Sequence, residues 1–275
     1  MTKHIAALLT VHNRKAKTLS CLKELYNQIV PDGFSLEVYL TDDGCTDGTP
    51  EAVAHMFPSV RIIKGDGNLF WNRGMYQAWA EASGTYDYDY YLWLNDDTIL
   101  LADSLRKMID VAGKEPDAVI VGPTRALDNP LRTTYSGIRK DGSVICPNGK
   151  IQYCHTFNGN IVMVPRKIFH QIGNLDYAYH HALGDLDYGQ SVIRAGFKNC
   201  LMPEHCGMCN NNPINPDWIR PEVPFIKRWK NFHSPLAYGE PKAMFHYNRK
   251  NFGLLHAVRV YITNHIRVLM PSIKK

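Results

Sequence analysis

Four apolar runs in the first hundred residues each end in a cluster of polar side chains, and this repeat is what most constrains the fold. The runs and their clusters are residues 5–10 with His12-Asn13-Arg14, 36–40 with Asp42-Asp43-Gly44, 60–63 with Gly65-Asp66-Gly67-Asn68, and 90–94 with Asn95-Asp96-Asp97. Segments with helical spacing separate them. Such alternation predicts an α/β fold with a Rossmann-like, mostly parallel central sheet flanked by helices.

The polar clusters should meet at one edge of this sheet. In an open parallel sheet the ligand lies beyond the carboxyl ends of the strands. That edge would gather three acidic clusters, an arginine and several glycines. Carboxylates beside a phosphate-bearing ligand are compatible when a divalent cation lies between them. The sequence therefore predicts a site for a phosphate ligand and a divalent metal.

Helical spacing predicts helices over residues 15–29, 72–82 and 101–112. After residue 123 the pattern is less regular, with a hairpin at 135–145, a strand at 160–164 and helices at 166–172 and 185–195. Prolines between residues 213 and 224 coincide with a change in charge. We therefore divide the chain into a body, residues 1–215 with halves 1–123 and 124–215, and a tail, residues 216–275.

The composition, with 45% apolar and 21% charged residues among 275, is that of a packed globular protein. No stretch reaches the roughly 18 uninterrupted apolar residues of a membrane span. The first residues enter a strand-like run without a signal-peptide pattern. Seven cysteines, an odd number, are then most simply reduced thiols. We expect a cytoplasmic protein.

The tail is strongly basic. Residues 219–275 carry a net charge of +9, whereas residues 1–218 carry −4. Within residues 251–270 an apolar stripe follows helical spacing, which predicts a basic amphipathic helix. This helix could lie on the inner face of a membrane, pack on the body or pair with a second subunit in a homodimer. Nucleic acid is not an expected partner, because recognition motifs are absent.

An ordered set of motifs resembles the inverting glycosyltransferases of family 2, which have the GT-A fold, and most closely their rhamnosyltransferase-like members. The set spans about residues 3–210 and consists of Thr10-Val11-His12-Asn13-Arg14, Asp42-Asp43-Gly44-Cys45-Thr46-Asp47-Gly48-Thr49, Gly67-Asn68, Asn72-Arg73-Gly74, Asn95-Asp96-Asp97 and Gly184-Asp185-Leu186-Asp187-Tyr188. The resemblance implies sugar transfer, with inversion, from a nucleotide-sugar donor to a glycan or polyprenyl-linked acceptor in bacterial cell-surface polysaccharide synthesis. Residues 1–123 would bind the donor and residues 124–215 the acceptor.

The resemblance also assigns donor and metal residues. Asp97 is the expected ligand of Mg²⁺ or Mn²⁺, with Asp96 and His205 as further candidates. The motif Asn95-Asp96-Asp97 replaces Asp-x-Asp, which leaves open whether Asp96 or Asp97 binds the metal directly. The residues expected at the nucleotide and donor sugar are Thr10, His12, Arg14, Asp42, Asp43, Asn68, Trp71, Arg73 and Asp96.

On the acceptor side, Asp185 is the expected general base. It stands at the start of a predicted helix, where the dipole favours the ionised form that a base needs. Asp187 and His181 are expected to support it or line the acceptor cleft.

Three alternatives remain at the level of sequence. A sugar nucleotidyltransferase would use a similar sheet and metal, but residues 10–17 lack the glycine-rich loop of that class. A non-catalytic scaffold would bind nucleotide sugar without transfer. A structural zinc site is the third; its candidate ligands are Cys200, Cys206, Cys209 and His205, and it lacks a second paired half.

Overall fold

The computed structural model describes residues 2–211 and 217–271. In the first half the elements are β1 (Lys3–Val11), α1 (Lys15–Tyr26), β2 (Phe34–Asp42), α2 (Thr49–Met56), β3 (Arg61–Lys64), α3 (Phe70–Thr85), β4 (Tyr90–Leu94), β5 (Ile99–Leu100), α4 (Ser104–Lys114) and β6 (Ala118–Val121). The second half of the body adds β7 (Thr124–Arg125), β8 (Gly137–Ile138), β9 (Gln152–Cys154), β10 (Thr156–Phe157), β11 (Ile161–Pro165), α5 (Arg166–Ile172), α6 (Gly184–Arg194), β12 (Lys198–Leu201) and β13 (Gly207–Met208). The tail contains a short 3₁₀ helix (Asp217–Ile219), α7 (Phe225–Phe232), α8 (Pro241–Phe252) and α9 (Leu254–Leu269).

A large mixed sheet forms the centre, with strands in the order β3-β2-β1-β4-β11-β6-β12-β9. Strands β1 to β4 are parallel to one another, and β11 runs antiparallel between β4 and β6. The order of strands reverses between β1 and β4. This is the topological switch point, where α/β proteins bind their ligands beyond the carboxyl ends of the strands. The mostly parallel α/β fold predicted from the sequence is confirmed.

Helices cover both faces of the sheet, because the sheet strands are apolar on both sides. In β1, Ile5 and Leu9 face one layer of core with α1, α2 and α4, while Ala6 and Leu8 face a second layer with α3, α5 and α6. Trp79 and Trp93 are fully buried in the second layer. The switch point is therefore held by a rigid core on each side.

Several elements differ in extent from the sequence-based expectation. Helix α1 ends at Tyr26 rather than residue 29, because the side chain of Gln28 turns inwards and bonds the backbone of Leu101 and Leu105. Helix α4 correspondingly begins at Ser104. In the predicted hairpin at 135–145, β8 pairs with β10, while a narrow turn links Arg139 and Ser143.

The tail packs on the body through polar contacts. Asp187 in α6 accepts hydrogen bonds from Lys250 Nζ (2.6 Å) and Asn251 Nδ2 (2.9 Å), at the carboxyl end of α8. Asp176 accepts from His246 Nε2 (2.9 Å) and Lys250 Nζ (3.0 Å). The single helix predicted over residues 251–270 is interrupted, because Gly253 adopts a positive φ of 90° that separates α8 from α9. The tail is thus a docked helical unit.

Across residues 2–211 and 217–271, every helix is too short or too polar to span a bilayer.

Candidate active site

Two adjoining cavities open beyond the carboxyl ends of β1 and β4. The larger cavity has a volume of about 360 Å³ and the smaller cavity about 220 Å³. They share four lining residues, namely Arg14, Trp71, Asp96 and His181. The polar clusters predicted from the strand ends therefore do meet at one place.

A pair of carboxylates lies on the boundary between the cavities. Arg14 Nη1 bridges the pair, 3.2 Å from Asp96 Oδ1 and 3.0 Å from Asp97 Oδ2. Thr18 Oγ1 donates to Asp96 Oδ2 over 3.4 Å, and Lys17 Nζ lies 3.7 Å from Asp97 Oδ2. Burial raises the pKa of Asp96 to about 6, although the charge of Arg14 opposes the shift. The pair thus attracts a cation, and a guanidinium group occupies that position.

The two carboxylates fit a hard divalent cation in their donor chemistry. In the described parts, 2–211 and 217–271, no three His, Cys, Asp or Glu side chains converge as a complete metal cage. Mg²⁺ is commonly held by one or two carboxylates, with water and substrate phosphate as the remaining ligands. Asp96 and Asp97 match that arrangement, because Asp96 lines both cavities and Asp97 lines the smaller one.

His205 lies outside both cavities. Its Nε2 is hydrogen-bonded with Thr133 Oγ1 over 2.9 Å, and burial lowers its pKa. The structure does not bring His205 to the carboxylate pair. The two thiols of the C-x-x-C segment also have separate partners: Cys206 Sγ donates to Glu204 O and Cys209 Sγ to Asp97 Oδ1. Nothing in this geometry favours the zinc alternative.

Asp43 holds the loop that precedes α3. Its carboxylate accepts hydrogen bonds from the backbone N–H groups of Gly67 (2.9 Å), Leu69 (3.1 Å) and Phe70 (2.9 Å). Its carbonyl oxygen is 2.5 Å from His12 Nδ1. Asp43 therefore lines the larger cavity, and its side chain fixes a loop whose residues Gly67 and Phe70 line the same cavity. The expected contact of this carboxylate with a nucleoside stays a prediction.

The other donor-side candidates divide into two groups. Thr10, His12 and Arg14 line the larger cavity, whereas the carboxylate of Asp42 is buried and accepts a hydrogen bond from the backbone N–H of Cys45 (2.8 Å). Trp71 lines both cavities and donates from Nε1 to Asn95 Oδ1 over 2.7 Å.

Like Asp42, two further donor-side candidates do not line either cavity. Asn68 is exposed in a turn in which its backbone N–H donates to Asp66 Oδ1. Arg73 donates from Nε to Tyr177 O over 3.0 Å and stacks on the Tyr177 ring. The direction of the Arg73 side chain thus depends on a tertiary contact, whereas Asn68 stays in its own turn.

Asp185 lies in the first turn of α6 and lines the smaller cavity. Its carboxylate accepts hydrogen bonds from the backbone N–H groups of Gly159 (2.9 Å) and Leu186 (2.8 Å). Burial raises the pKa of Asp185 to about 6, and these two hydrogen bonds oppose the shift. A Cβ at Gly159 would lie 2.6 Å from the Trp71 ring and 3.3 Å from Asp185 Cβ. Glycine thus lets the loop pass between the two side chains.

Of the two acceptor-side candidates, only His181 lines the cavities. Burial, with the charge of Arg14, lowers its pKa and favours the neutral imidazole. Asp187 is almost fully buried and occupied by Lys250 and Asn251. Asp187 therefore joins the tail to the body.

Sequence reasoning missed several lining residues. Leu236 from the tail lines the larger cavity, and Tyr238 lines the smaller one together with residues 158–160. The expectation that ligands bind beyond the carboxyl ends of parallel strands applies only to residues next to the sheet. It gives no signal for residues of the tail. The sequence shows that the basic tail contains aromatic residues such as Tyr238, but it does not show where they lie in the fold.

Comparison with known proteins identifies related families and folds. Residues 7–173 match the profile of the family described as "Glycosyl transferase family 2". Two curated sequences, both named N-acetylglucosaminyl-diphospho-decaprenol L-rhamnosyltransferase, from Mycobacterium tuberculosis strains CDC 1551 / Oshkosh and ATCC 25618 / H37Rv, are 24% identical over 199 residues. The alignments cover 61% of this chain and 64% of each relative, so they span just under two thirds of the relatives' length.

Solved structures agree on the fold. The mannosyltransferase PcManGT from Pyrobaculum calidifontis, in complex with GDP-Man and Mn²⁺, has a TM-score of 0.55 at 16% identity, covering 97% of this chain and 76% of its own. S. aureus TarS has a TM-score of 0.61 at 11% identity, and the likeness covers 99% of this chain and 50% of TarS. The structure of TarS residues 1–349 has a TM-score of 0.58 at 11% identity, covering 98% of this chain and 81% of that one. These likenesses confirm the GT-A fold.

Proposed function

Since the chain belongs to glycosyl transferase family 2, we propose that it transfers a sugar from a nucleotide-sugar donor to a hydroxyl group of a glycan or lipid-linked acceptor. One observation carries this proposal. Asp96, Asp97 and Asp185 border the same small cavity, although they come from distant parts of the chain. Sugar transfer needs charge compensation for a leaving diphosphate and a base for the acceptor, and these carboxylates could supply both.

In this proposal the larger cavity takes the nucleotide, and Asp96 and Asp97 hold Mg²⁺ or Mn²⁺ at its boundary. The bound ion would act as a Lewis acid that compensates the charge of the leaving diphosphate. Arg14, freed from the carboxylates, can donate to the same phosphate oxygens. The Mn²⁺ and GDP-Man named for the Pyrobaculum structure support the choice of ion and donor class.

Asp185 would accept the proton of the acceptor hydroxyl as its oxygen bonds to the anomeric carbon and the diphosphate leaves. Its carboxylate must be ionised for this role, and with a pKa of about 6 it is mostly ionised at neutral pH. The family resemblance supports inversion, in which the acceptor attacks the face opposite the leaving group. Asp97 and Asp185 line one cavity, which is compatible with that geometry.

For the substrates, we infer a deoxyhexose such as rhamnose as the sugar and a polyprenyl-diphosphate-linked sugar as the acceptor, in bacterial cell-surface polysaccharide synthesis. The names of the Mycobacterium relatives support this choice. The position of the reaction would be the cytoplasmic face of the cell membrane, where such acceptors are anchored.

The tail supports contact with an anionic membrane. One side of α9 is buried through Ala257, Asn264 and Val268, while a neighbouring side exposes an apolar stripe. The exposed residues of that stripe are Leu254, Leu255, Val258, Ile262, Ile266 and Leu269. Basic residues such as Arg259 flank the stripe. Apolar side chains beside positive charge suit the surface of an anionic bilayer better than a second copy of this basic tail.

The first experiment is thermal unfolding with UDP, GDP, dTDP or CDP, each with and without Mn²⁺. Ligand binding to the folded state raises the melting temperature. We expect one nucleotide to give a shift that requires Mn²⁺. The matching nucleotide sugar should then yield free nucleoside diphosphate with acceptor, whereas release of pyrophosphate from a nucleoside triphosphate and a sugar phosphate would instead show a nucleotidyltransferase. Binding without turnover of any donor would indicate a scaffold.

Membrane contact is tested by co-sedimentation with vesicles of phosphatidylcholine, with and without phosphatidylglycerol. We expect binding only to the anionic vesicles, and its loss in the double variant Leu255→Asp, Ile262→Asp. Binding that is equal in the variant would refute the assignment of this stripe. Concentration-dependent dimerisation that the same variant abolishes would assign the stripe to a second copy.

A further inference from the structure

The tail reaches the candidate active site through the segment between α7 and α8, residues 233–240, which we call the tail loop. Leu236 lines the larger cavity and Tyr238 lines the smaller cavity, together with Asp185. The tail loop lies outside residues 7–173, the part that matches the family profile. The walls of the site are thus completed by a part of the chain outside that match.

The tail loop is held in place at several points. Two successive turns join Ala237 N to Ser234 O (2.9 Å) and Glu240 N to Ala237 O (3.0 Å). The buried Glu240 lies 3.1 Å from His180 Nδ1, next to the cavity residue His181. A Cβ at Gly239 would approach the Trp218 ring to 2.6 Å, so the loop rests closely on that ring. The position of Tyr238 is therefore determined by the two turns and by the packing of the adjacent Gly239 and Glu240.

Tyr238 has an exposed ring and a hydroxyl group that are both available to bind a ligand. The residue is 57% exposed, and its hydroxyl makes no hydrogen bond to residues 2–211 or 217–271. Even so, desolvation, Tyr247 and the charge of Asp185 raise its pKa to about 12, so the phenol remains a hydrogen-bond donor at neutral pH. An aromatic face and a free hydroxyl group therefore border the cavity that contains Asp185.

We propose that Tyr238 binds the sugar ring of the acceptor and sets which acceptor hydroxyl reaches Asp185. This inference rests on the proposed function. The ring supplies an apolar surface for the C–H groups of a pyranose, and the hydroxyl supplies a polar contact at its edge. The acceptor is favoured over the donor because Tyr238 lines the cavity of Asp185, whereas the larger cavity, with Thr10, His12 and Asp43, does not include it.

The test compares acceptor and nucleotide binding in the full chain. Farnesyl diphosphates bearing N-acetylglucosamine, glucose or galactose serve as acceptor probes, titrated calorimetrically with Mn²⁺ and the stabilising nucleoside diphosphate present. For Tyr238→Ala we expect the acceptor Kd to rise about tenfold, as for loss of one aromatic contact. Tyr238→Phe should keep most of the affinity, since it keeps the ring. Tyr153→Ala is the matched control, because Tyr153 is 52% exposed and lines neither cavity.

The outcomes separate this inference from the proposed function. An unchanged acceptor Kd in Tyr238→Ala, or an equal loss of nucleotide affinity, would overturn the role of Tyr238. Nucleotide binding by the unaltered protein without a saturable response to any sugar probe would also overturn it. Failure of every nucleotide to bind would instead refute the proposed function. Melting temperatures of the variants show whether each protein is folded.

Discussion

At the scale of residues, the site is organised around carboxylates whose surroundings differ. Asp97 lines the smaller cavity beside Arg14 and Lys17, Asp185 accepts two backbone hydrogen bonds, and Asp187 is bonded to the tail. Similar side chains thus have separate tasks because their partners differ. The residue type alone could not have distinguished Asp185 from Asp187, two positions apart.

Asp185→Asn should lower the rate of sugar transfer by about 10²–10⁴-fold, the contribution typical of a general base. Nucleotide binding with Mn²⁺ should remain nearly intact, because Asp185 does not line the larger cavity. Initial rates and thermal shifts on the same preparation measure the two effects. Turnover equal to that of the unaltered protein would remove Asp185 from this role.

The pH dependence of transfer follows from the pKa of Asp185. A carboxylic acid with a raised pKa becomes ionised only above that value, and only the ionised form accepts a proton. Since burial raises this pKa to about 6, kcat/KM should increase as the pH rises from 5 to 7 and then level off. A pH–rate profile in a buffer series gives the apparent pKa. A profile already level at pH 5 would contradict the assignment.

Asp97 and Arg14 should affect metal binding in opposite directions. Asp97→Ala removes a carboxylate and should abolish the Mn²⁺-dependent part of nucleotide binding. Arg14→Ala frees the carboxylates of a competing cation, so Mn²⁺ alone should bind more tightly while the nucleoside diphosphate binds more weakly. Calorimetric titration with Mn²⁺, then with nucleotide, resolves both effects, and Asp32→Ala, at an exposed turn, is the control. Metal-dependent binding retained in Asp97→Ala would place the metal elsewhere.

At the scale of elements, the cavities depend on close packing of α3 against β1. A Cβ at Gly74 would lie 2.1 Å from Thr10 Oγ1, whereas a Cβ at Gly84 in the same helix would meet nothing within 4 Å. Helix and strand therefore approach most closely beside a residue that lines the larger cavity. Close packing against Thr10 therefore explains why the motif Asn72-Arg73-Gly74 has a glycine at residue 74.

These two glycines give a matched prediction. Gly74→Ala should destabilise the protein by about 1–3 kcal/mol through overpacking against Thr10. Gly84→Ala should stabilise it by up to about 1 kcal/mol, because alanine favours a helix. Urea denaturation measures both changes in the free energy of unfolding. If both variants shift stability in the same direction, the close approach at Gly74 is not the cause.

The elements also show what sequence patterns can and cannot predict. Strand β4 has the predicted bounds. Arg14, Asp96 and Asp97 lie together as predicted, because the carboxyl ends of parallel strands meet at the same edge of the sheet. Arg73 and His205 lie outside the cavities, because their side chains bond Tyr177 and Thr133, which are distant in sequence. Asn68 lies outside them in a turn that it forms with Asp66. The spacing of apolar residues along the sequence thus predicts helices and strands better than it predicts where a side chain points.

At the scale of the whole molecule, a body and a basic tail form one site. The sequence left open whether the tail packs on the body, a membrane or a second subunit. The structure shows packing on the body through α8, and it leaves an apolar stripe of α9 exposed. Packing of the tail on the body through α8 therefore leaves α9 available for the proposed contact with a membrane.

Lys250→Met should loosen the tail. The change removes the ion pairs with Asp176 and Asp187 and leaves the nearly buried Asp187 with one partner fewer, at a cost of about 1–3 kcal/mol. Hydrogen exchange in α8 should increase, and the melting temperature should fall. Lys242→Met is the control, because Lys242 is exposed on the same helix without an ion pair among the described residues. Equal exchange in the two variants would show that the contact does not hold the tail.

The placement of the tail loop has a consequence for how such enzymes diversify. The donor-side candidates that line the cavities lie within the part of the chain that matches the family, whereas Leu236 and Tyr238 lie in a later segment. A recombination point near residue 216 could exchange the later segment between relatives, and among the described residues that line the larger cavity it would change only Leu236. Acceptor preference would then be inherited separately from donor preference, which would allow one ancestral body to serve different glycan sequences.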